Sequence, residues 1–255
     1  MSWRRILLFS GVGVLAYLLF LGLTLPASLL FGWVLPPQSP VAIVAPQGTP
    51  WHGEAQALRV NGAPLGRVSW RIHPWALFTG RLDYDLSVHG DMTQLSGEAV
   101  LMPGGKVIAT DVKGPLNLAT ALHWIELPIP PNSASGRLKL NLDKFVFENR
   151  RPTAIVGQIA LEKLHALWPQ QMPLGGYRAT FTTDESGIHG RARDTGGPLD
   201  LDATIDVNNS GQYQAQGTMT PRGNANPGLK QALQFLGRTD GSGTTHFSFS
   251  GNLAL

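Results

Sequence analysis

The chain has 255 residues, 43% of them apolar and 15% charged, where an average soluble domain is about a quarter charged. That balance excludes a charged disordered tail and a coiled-coil or long-helix architecture. The absence of cysteine excludes disulfides, thiolate catalysis, zinc–thiolate sites and iron–sulfur clusters. The net charge is +3, but two of the 20 Lys and Arg residues, Arg4 and Arg5, lie ahead of the first apolar segment. Beyond residue 35, 18 basic residues face 17 acidic ones, and the longest basic runs are pairs such as Arg150-Arg151. Nucleic-acid binding depends on clustered cations that displace counterions from phosphates, and this pattern argues against it.

From Ile6 to Leu25 the chain runs for twenty residues without a charge. As a helix this stretch spans about 30 Å, the thickness of a bilayer's hydrocarbon core. Pro26 follows, then a second apolar stretch whose Phe31 and Trp33 suit the membrane–water boundary. Arg4 and Arg5 precede the span, and no Lys or Arg follows it until Arg59. This asymmetry predicts a cytoplasmic N-terminus with the remainder across the membrane. The alternative is a cleaved signal peptide, but its apolar region is shorter, about 7–15 residues, and Leu25-Pro26-Ala27 is a poor cleavage site. The reading is therefore a retained anchor over residues 1–35, defined by Arg4, Arg5, Ile6, Leu25 and Trp33. A Pro-rich linker follows over 36–50, with Pro36, Pro37 and Pro40 keeping it extended.

Residues 51–255 read as a β-rich domain. Leu82, Tyr84, Leu86 and Val88 alternate with Arg81, Asp83, Asp85 and Ser87. Leu199, Leu201, Ala203, Ile205 and Val207 alternate with Asp200, Asp202, Thr204 and Asp206. The same period of two runs through Gln212–Met219 and through His246–Leu253. Such patterning predicts antiparallel sheet with one buried and one wet face. Turns at Asn61-Gly62, Gly104-Gly105, Ser186-Gly187, Gly196-Gly197-Pro198 and Ser210-Gly211 suit a meander.

Two short helices interrupt the strands. One is predicted over Leu118–Leu127, ending before Pro128. The other covers Pro227–Leu236, with Asn226 as its cap, Gly237 beyond its end and Leu229, Leu233 and Leu236 as its apolar stripe. Each helix precedes a final strand, and each half carries Pro-Leu-Gly (Pro64-Leu65-Gly66 and Pro173-Leu174-Gly175). The order predicts a two-lobed sheet with a pseudo-repeat, 51–147 and 153–255. Recurrence by composition alone is the competing explanation.

The residues offer no constellation for catalysis. The histidines at 52, 73, 89, 123, 165, 189 and 246 contain no metal-binding spacing, and no nucleophile elbow or phosphate loop occurs. The pairs Asp83/Asp85 and Asp200/Asp202 fall on the polar face of their strands, where a solvated surface explains them. Asp184-Glu185-Ser186-Gly187 reads as a hairpin turn. No cofactor or metal is called for. One apolar cluster, Trp75, Leu77 and Phe78, follows Pro74 in a connection. It either caps the sheet's apolar face or forms a contact patch for a partner or the membrane surface.

The sum of these features resembles the type II secretion system protein N family (general secretion pathway protein N) of Gram-negative bacteria. The resemblance rests on the anchor and on Trp51-His52-Gly53. It continues through Pro64-Leu65-Gly66-Arg67-Val68-Ser69-Trp70-Arg71, Gly80-Arg81-Leu82 and Ser135-Gly136-Arg137-Leu138. Leu174-Gly175-Gly176-Tyr177, Gly196-Gly197-Pro198-Leu199 and the closing helix–strand unit complete it. It implies a single-pass inner-membrane protein with a periplasmic β-rich domain and no catalytic residues, a component of the machine that exports folded proteins across the outer membrane. The implied partners are the inner-membrane platform and the outer-membrane secretin. A weaker likeness to periplasmic β-groove proteins of the AsmA-like group implies lipid as the alternative ligand. A closed sheet favours the scaffold; an open apolar groove favours lipid.

Overall fold

A computed structural model describes residues 13, 17, 20, 24–29, 41–60, 62–73, 82–102, 106–123, 133–148, 151–167, 171–223 and 225–252. The alternation is realised as one antiparallel sheet of fourteen strands. In the first half these are β1 (Val41–Gly48), β2 (His52–Val60), β3 (Ala63–Ile72), β4 (Leu82–Gly90), β5 (Thr93–Leu101), β6 (Val107–Asn117) and β7 (Ala134–Glu148). In the second they are β8 (Arg151–Ala166), β9 (Met172–Thr183), β10 (Gly187–Gly196), β11 (Leu199–Asn208), β12 (Gln212–Pro221), β13 (Arg238–Thr239) and β14 (Thr245–Asn252). Each strand lies beside its sequence neighbour except at the end, where the order is β12-β14-β13. Helix α1 (Leu118–Leu122) precedes β7, and α2 (Pro227–Leu236) precedes β13.

Residues 41–48, read above as linker, are β1, paired with β2 from Val41↔Val60 to Gly48↔Gly53. The β-branched run Val41, Ile43, Val44 outweighs the proline signal. Pro46 is compatible with a strand because β1 is an edge, where a missing N–H breaks no ladder bond. The first predicted helix extended to Leu127; the helix itself ends at Leu122, and residues 124–132 lie outside the described residues. Its Asn117 cap accepts from Ala119 N–H, and in α2 Asn226 likewise accepts from Gly228 N–H.

The expected anchor falls largely outside the described residues: Arg4, Arg5, Ile6 and Trp33 are not among them. Among those that are, no helix is long and apolar enough to cross a membrane. Leu25 is described and half-buried, and two residues on Ala27 is fully buried in the core of the first half.

Two apolar clusters sit on one face of the sheet, each beneath a helix. The first gathers Leu65, Val68, Trp70, Ile72, Tyr84, Val88 and Leu116 with Ala121 of α1. The second gathers Met172, Leu199 and Met219 with Leu229 and Leu233 of α2. Both Pro-Leu-Gly motifs serve the same local purpose. Gly66 has φ 122°, and a Cβ there would lie 2.5 Å from Gly90 Cα; Gly175 has φ 89°, and its Cβ would lie 2.9 Å from Gly197 Cα. In each half the glycine lets one strand press against a glycine at the end of the next, Gly90 closing β4 or Gly197 just after β10.

Glycine serves a second purpose across the strands. Trp70 lies opposite Gly53, Phe181 opposite Gly190 and Tyr213 opposite Gly251. In each pair the ring occupies the space a Cβ would take, at 2.5, 2.6 and 2.7 Å respectively. The aromatic side chain thus shields backbone that its partner leaves bare.

Candidate functional site

Three surfaces are candidates, and the first is an edge. Arg238 and Thr239 of β13 cover only His246 and Thr245 of β14. From Phe247 to Asn252 the outer side of β14 faces no strand among the described residues. This stretch contains no charge, no proline and no bulge. The opposite edge, β1, carries a left-handed Ala45 (φ 50°) followed by Pro46, both of which discourage a further strand. The two ends of the sheet are therefore unequal: one is blunted and the other presents a regular ladder. Phe247 and Phe249 of β14 stack with ring centroids 5.5 Å apart, and Phe249 is 45% exposed.

The second surface is the apolar face between the helices. One row of paired residues crosses it through Leu140, Ile159, Ala179, Ala192, Ala203, Gly217 and Phe247. The next row is Leu142, Gly157, Phe181, Gly190, Ile205, Ala215 and Phe249. Six strand intervals give each row about 29 Å. Ile159, Phe181 and Ile205 are only half-buried, and no second sheet lies over them among the described residues.

The third surface is the polar face of β9, β10 and β11, which carries a dense network. The hairpin turn at Asp184 is as predicted: Asp184 Oδ1 accepts from Ser186 N–H (2.8 Å) and from Ser186 Oγ–H (2.6 Å). His189 sits 2.6 Å from Asp206 through Nδ1, and through Nε2 lies 2.8 Å from Ser186 Oγ and 3.2 Å from Asp184. Ser, His and Asp stand in triad order, but the Ser186 hydroxyl donates to Asp184 Oδ1 at 2.6 Å, and the imidazole acts as a clamp between Asp184 and Asp206. Hydrogen bonds to Asp206 and Asp184 raise the imidazole pKa above its ordinary value. Bonds from Ser186, through hydroxyl and backbone N–H, lower Asp184 to about 2.

Further along the same face, Asp202 binds Arg191 through two bonds of 3.1 and 2.8 Å and reaches Arg193 at 3.6 Å. Beside the second apolar cluster, the Asp194 carboxylate accepts from Leu201 and Gly196 N–H and from Arg222 at 2.8 Å. Burial pushes its pKa up, but these bonds outweigh it and hold the carboxylate below its ordinary range. Burial also raises Tyr177 to about 12, assisted by Asp194.

The aspartate pairs do not converge on a cleft. Asp85 pairs with His73 at 2.9 Å, Asp200 with Arg222 at 3.4 Å and Asp202 with Arg191; one oxygen of Asp83 is buried without a hydrogen-bond partner. Trp75, Leu77 and Phe78, the predicted contact patch, lie outside the described residues. The β14 edge and the His189 clamp were missed by sequence reasoning, because both depend on which strand is last and in what register. The uncharged alternation of residues 246–252 was the available signal for the edge.

The model of the family described as type II secretion system (T2SS), protein N, matches residues 39–248. A type II secretion system protein N from Vibrio cholerae serotype O1 is 29% identical over 210 residues, covering 81% of this chain and 83% of its own. The protein of that name from Aeromonas hydrophila is 25% identical over 252 residues, 98% of this chain and all of its own length. That from Pectobacterium carotovorum subsp. carotovorum is 27% identical over 256 residues, 96% of each. No solved structure matches. With the family match extending from before β1 into β14, the chain belongs to the type II secretion system protein N family.

Proposed function

We propose that this protein is a non-enzymatic, inner-membrane-anchored accessory of type II protein secretion, acting as a periplasmic scaffold for other components of the machine. Family membership supports the role in secretion. The anchor reading rests on the twenty uncharged residues Ile6–Leu25 and their basic flank. Ala27, buried among the first cluster, ties the end of that segment to the sheet. The half beneath α1 then sits nearest the membrane, and β14 lies at the far end. The matched glycine contacts and helix positions in 51–147 and 153–255 support two repeated units laid side by side.

The observation that carries the scaffold reading is the unequal pair of edges. A partner's extended segment adds to β14 through main-chain hydrogen bonds, with its alternate side chains meeting Phe247 and Phe249 or Ser248 and Ser250. The inner-membrane platform and the outer-membrane secretin are the candidate partners. Photo-crosslinking in cells from Ser248 and Ser250 tests this. Capture of a secretion component is expected; capture of none, with secretion unaffected by Ser250→Pro, overturns it.

A second reading is favoured by the open sheet. The two apolar rows crossing β7 to β14 are not enclosed by a second sheet, which suits an acyl chain laid along the groove. Crosslinking from Ile159 and Ile205 decides it: lipid in the captured species supports this reading, and its absence removes it.

A further inference from the structure

The outer side of β14 is closed at one end and open along the rest. β13 covers Thr245 and His246. Gly237 extends that cover, since a Cβ there would press on His246 O and lie 3.2 Å from Phe247 Cα. Among the described residues the open stretch is therefore Ser248–Asn252. It carries no charge, and neither do its neighbours one strand in, where Gln216, Gln214 and Gln212 pair with Ser248, Ser250 and Asn252. An acidic or basic segment finds no countercharge here. A strand that fits is neutral, alternates polar with apolar residues, and leaves room for the ring of Phe249, which is 45% exposed.

We propose that the occupant of this edge is β14 of a second copy of the chain, paired antiparallel about a two-fold axis through Ser250. The proposal rests on the reading of β14 as an edge that accepts a strand, and names the strand that covers it while no other component of the machine does. The edge fits itself in that register. Phe249 falls opposite Gly251 of the second copy, Ser250 opposite its own counterpart, and Ser248 opposite Asn252. The first pair repeats the ring-over-glycine arrangement already found at Trp70 and Gly53, Phe181 and Gly190, and Tyr213 and Gly251. It also brings Phe249 beside Tyr213 of the second copy, which covers the exposed ring. The second pair repeats Ser69 and Ser87, which face each other across β3 and β4 with hydroxyl oxygens 2.6 Å apart. Opposite residues of an antiparallel pair share one face, so the apolar rows of the two sheets run into one another. An axis one residue earlier, through Phe249, would set Asn252 of the second copy opposite His246, where Arg238 already lies. The axis through Ser250 thus gives the longest ladder that clears β13. A ladder this short falls below the roughly 1,200 Å² of a stable interface, which leaves the pair weak enough for another strand to displace it.

The chain has no cysteine, so disulfide trapping reads the register directly. Full-length single-cysteine variants are oxidised in cells that express no other secretion component, and dimer is measured on non-reducing gels. Opposite residues of antiparallel strands have Cα atoms about 4.5–5.5 Å apart, within the reach of a disulfide. Position 248 lies about 14 Å from its own counterpart in this register. Ser250→Cys should therefore dimerise at least about tenfold faster than Ser248→Cys or Asn252→Cys alone, whereas those two, co-expressed, should trap each other. Gln214→Cys, one strand further in, should stay monomeric. Adding Ser250→Asp to the co-expressed pair sets two carboxylates opposite one another and should abolish trapping; Ser250→Thr should preserve it. Trapping no faster at 250 than at 214, equal trapping by Ser248→Cys alone, or trapping that survives Ser250→Asp overturns the proposal. If Ser250→Cys gives no dimer but photo-crosslinking from Ser250 in the complete system captures another component, the second copy is excluded and the edge reading stands. If neither occurs, both fall.

Discussion

The halves of the sheet under α1 and under α2 each place a helix over an apolar cluster but differ in their means of support. The first is held by a broad apolar cluster in which Trp70, Tyr84 and Leu116 are nearly excluded from solvent, and Trp70 Nε1–H also donates to Thr49 O at 3.1 Å. The second has a smaller cluster, with Met172, Met219 and Leu233 as its larger members, and a wet face braced by Asp194–Arg222, Asp202–Arg191 and the His189 clamp. One frame can therefore be stabilised mainly by burial or partly by ion pairs. The second route leaves the surface more responsive to pH and salt.

The largest expected effects come from the two clusters. Leu116→Ala and Leu233→Ala, at positions 1% and 2% exposed, should each cost about 2–5 kcal/mol in urea unfolding. In a background with the other six tryptophans replaced by Phe, Trp70 fluorescence reports the first half. If the unbroken sheet unfolds as one unit, Leu233→Ala shifts the Trp70 transition as far as the far-UV circular dichroism transition. If only the second half moves, the two halves are independent.

Smaller losses should follow substitution of the matched glycines. Gly66→Ala and Gly175→Ala force a side chain against neighbouring backbone at positive φ, and each should cost roughly 1–3 kcal/mol. Gly62→Ala has positive φ but open space around it and should cost less. A large difference between Gly66 and Gly175 would end the correspondence between the halves.

Arg222→Gln should lower the denaturation midpoint of the second half, because the Asp194 side chain is only 10% exposed and loses its cation. Chemical denaturation at low and high salt checks this, and the loss should persist in salt.

The smallest effect is a pH dependence. His189 has a folded pKa raised above 6.5 by Asp206 and Asp184, so its contribution is complete below that value and disappears as pH rises through the folded pKa. Asp184, at about 2, acts in the opposite sense: its contribution is present above its ordinary 3.8 and is lost as pH falls through about 2. His189→Gln should flatten the alkaline side of the melting-temperature profile. His73, raised by Asp85, gives the first half a single-carboxylate counterpart, and His73→Gln should change that profile less.

Much of the strand pattern was legible because alternation reports one-sided burial directly: Leu199–Asn208 and Gln212–Pro221 lie where their period of two put them. Helix α2 matches its predicted bounds because Asn226, Pro227 and Gly237 mark both ends. β1 was not legible, since its proline signal conceals a strand whose edge position alone makes that proline harmless. Pairing across strands was equally hidden. Phe181 over Gly190 and His189 against Asp206 join residues whose proximity is set by register, and register follows from turn geometry more than from residue type. The edge on β14 is a property of order in the sheet, and local pattern does not encode order.

That order has a consequence for how the molecule comes into being. Because nearly every strand docks on the one made just before it, the structure can grow hairpin by hairpin as the polypeptide is delivered N-terminus first, without storing unmatched segments for a distant mate. Only the finish departs from this rule: β14 must slot in between β12 and the short β13 that precedes it, so the final residues complete the assembly. Chains released early should accumulate as intermediates with an exposed β12, the state most prone to pair with a neighbour of its own kind.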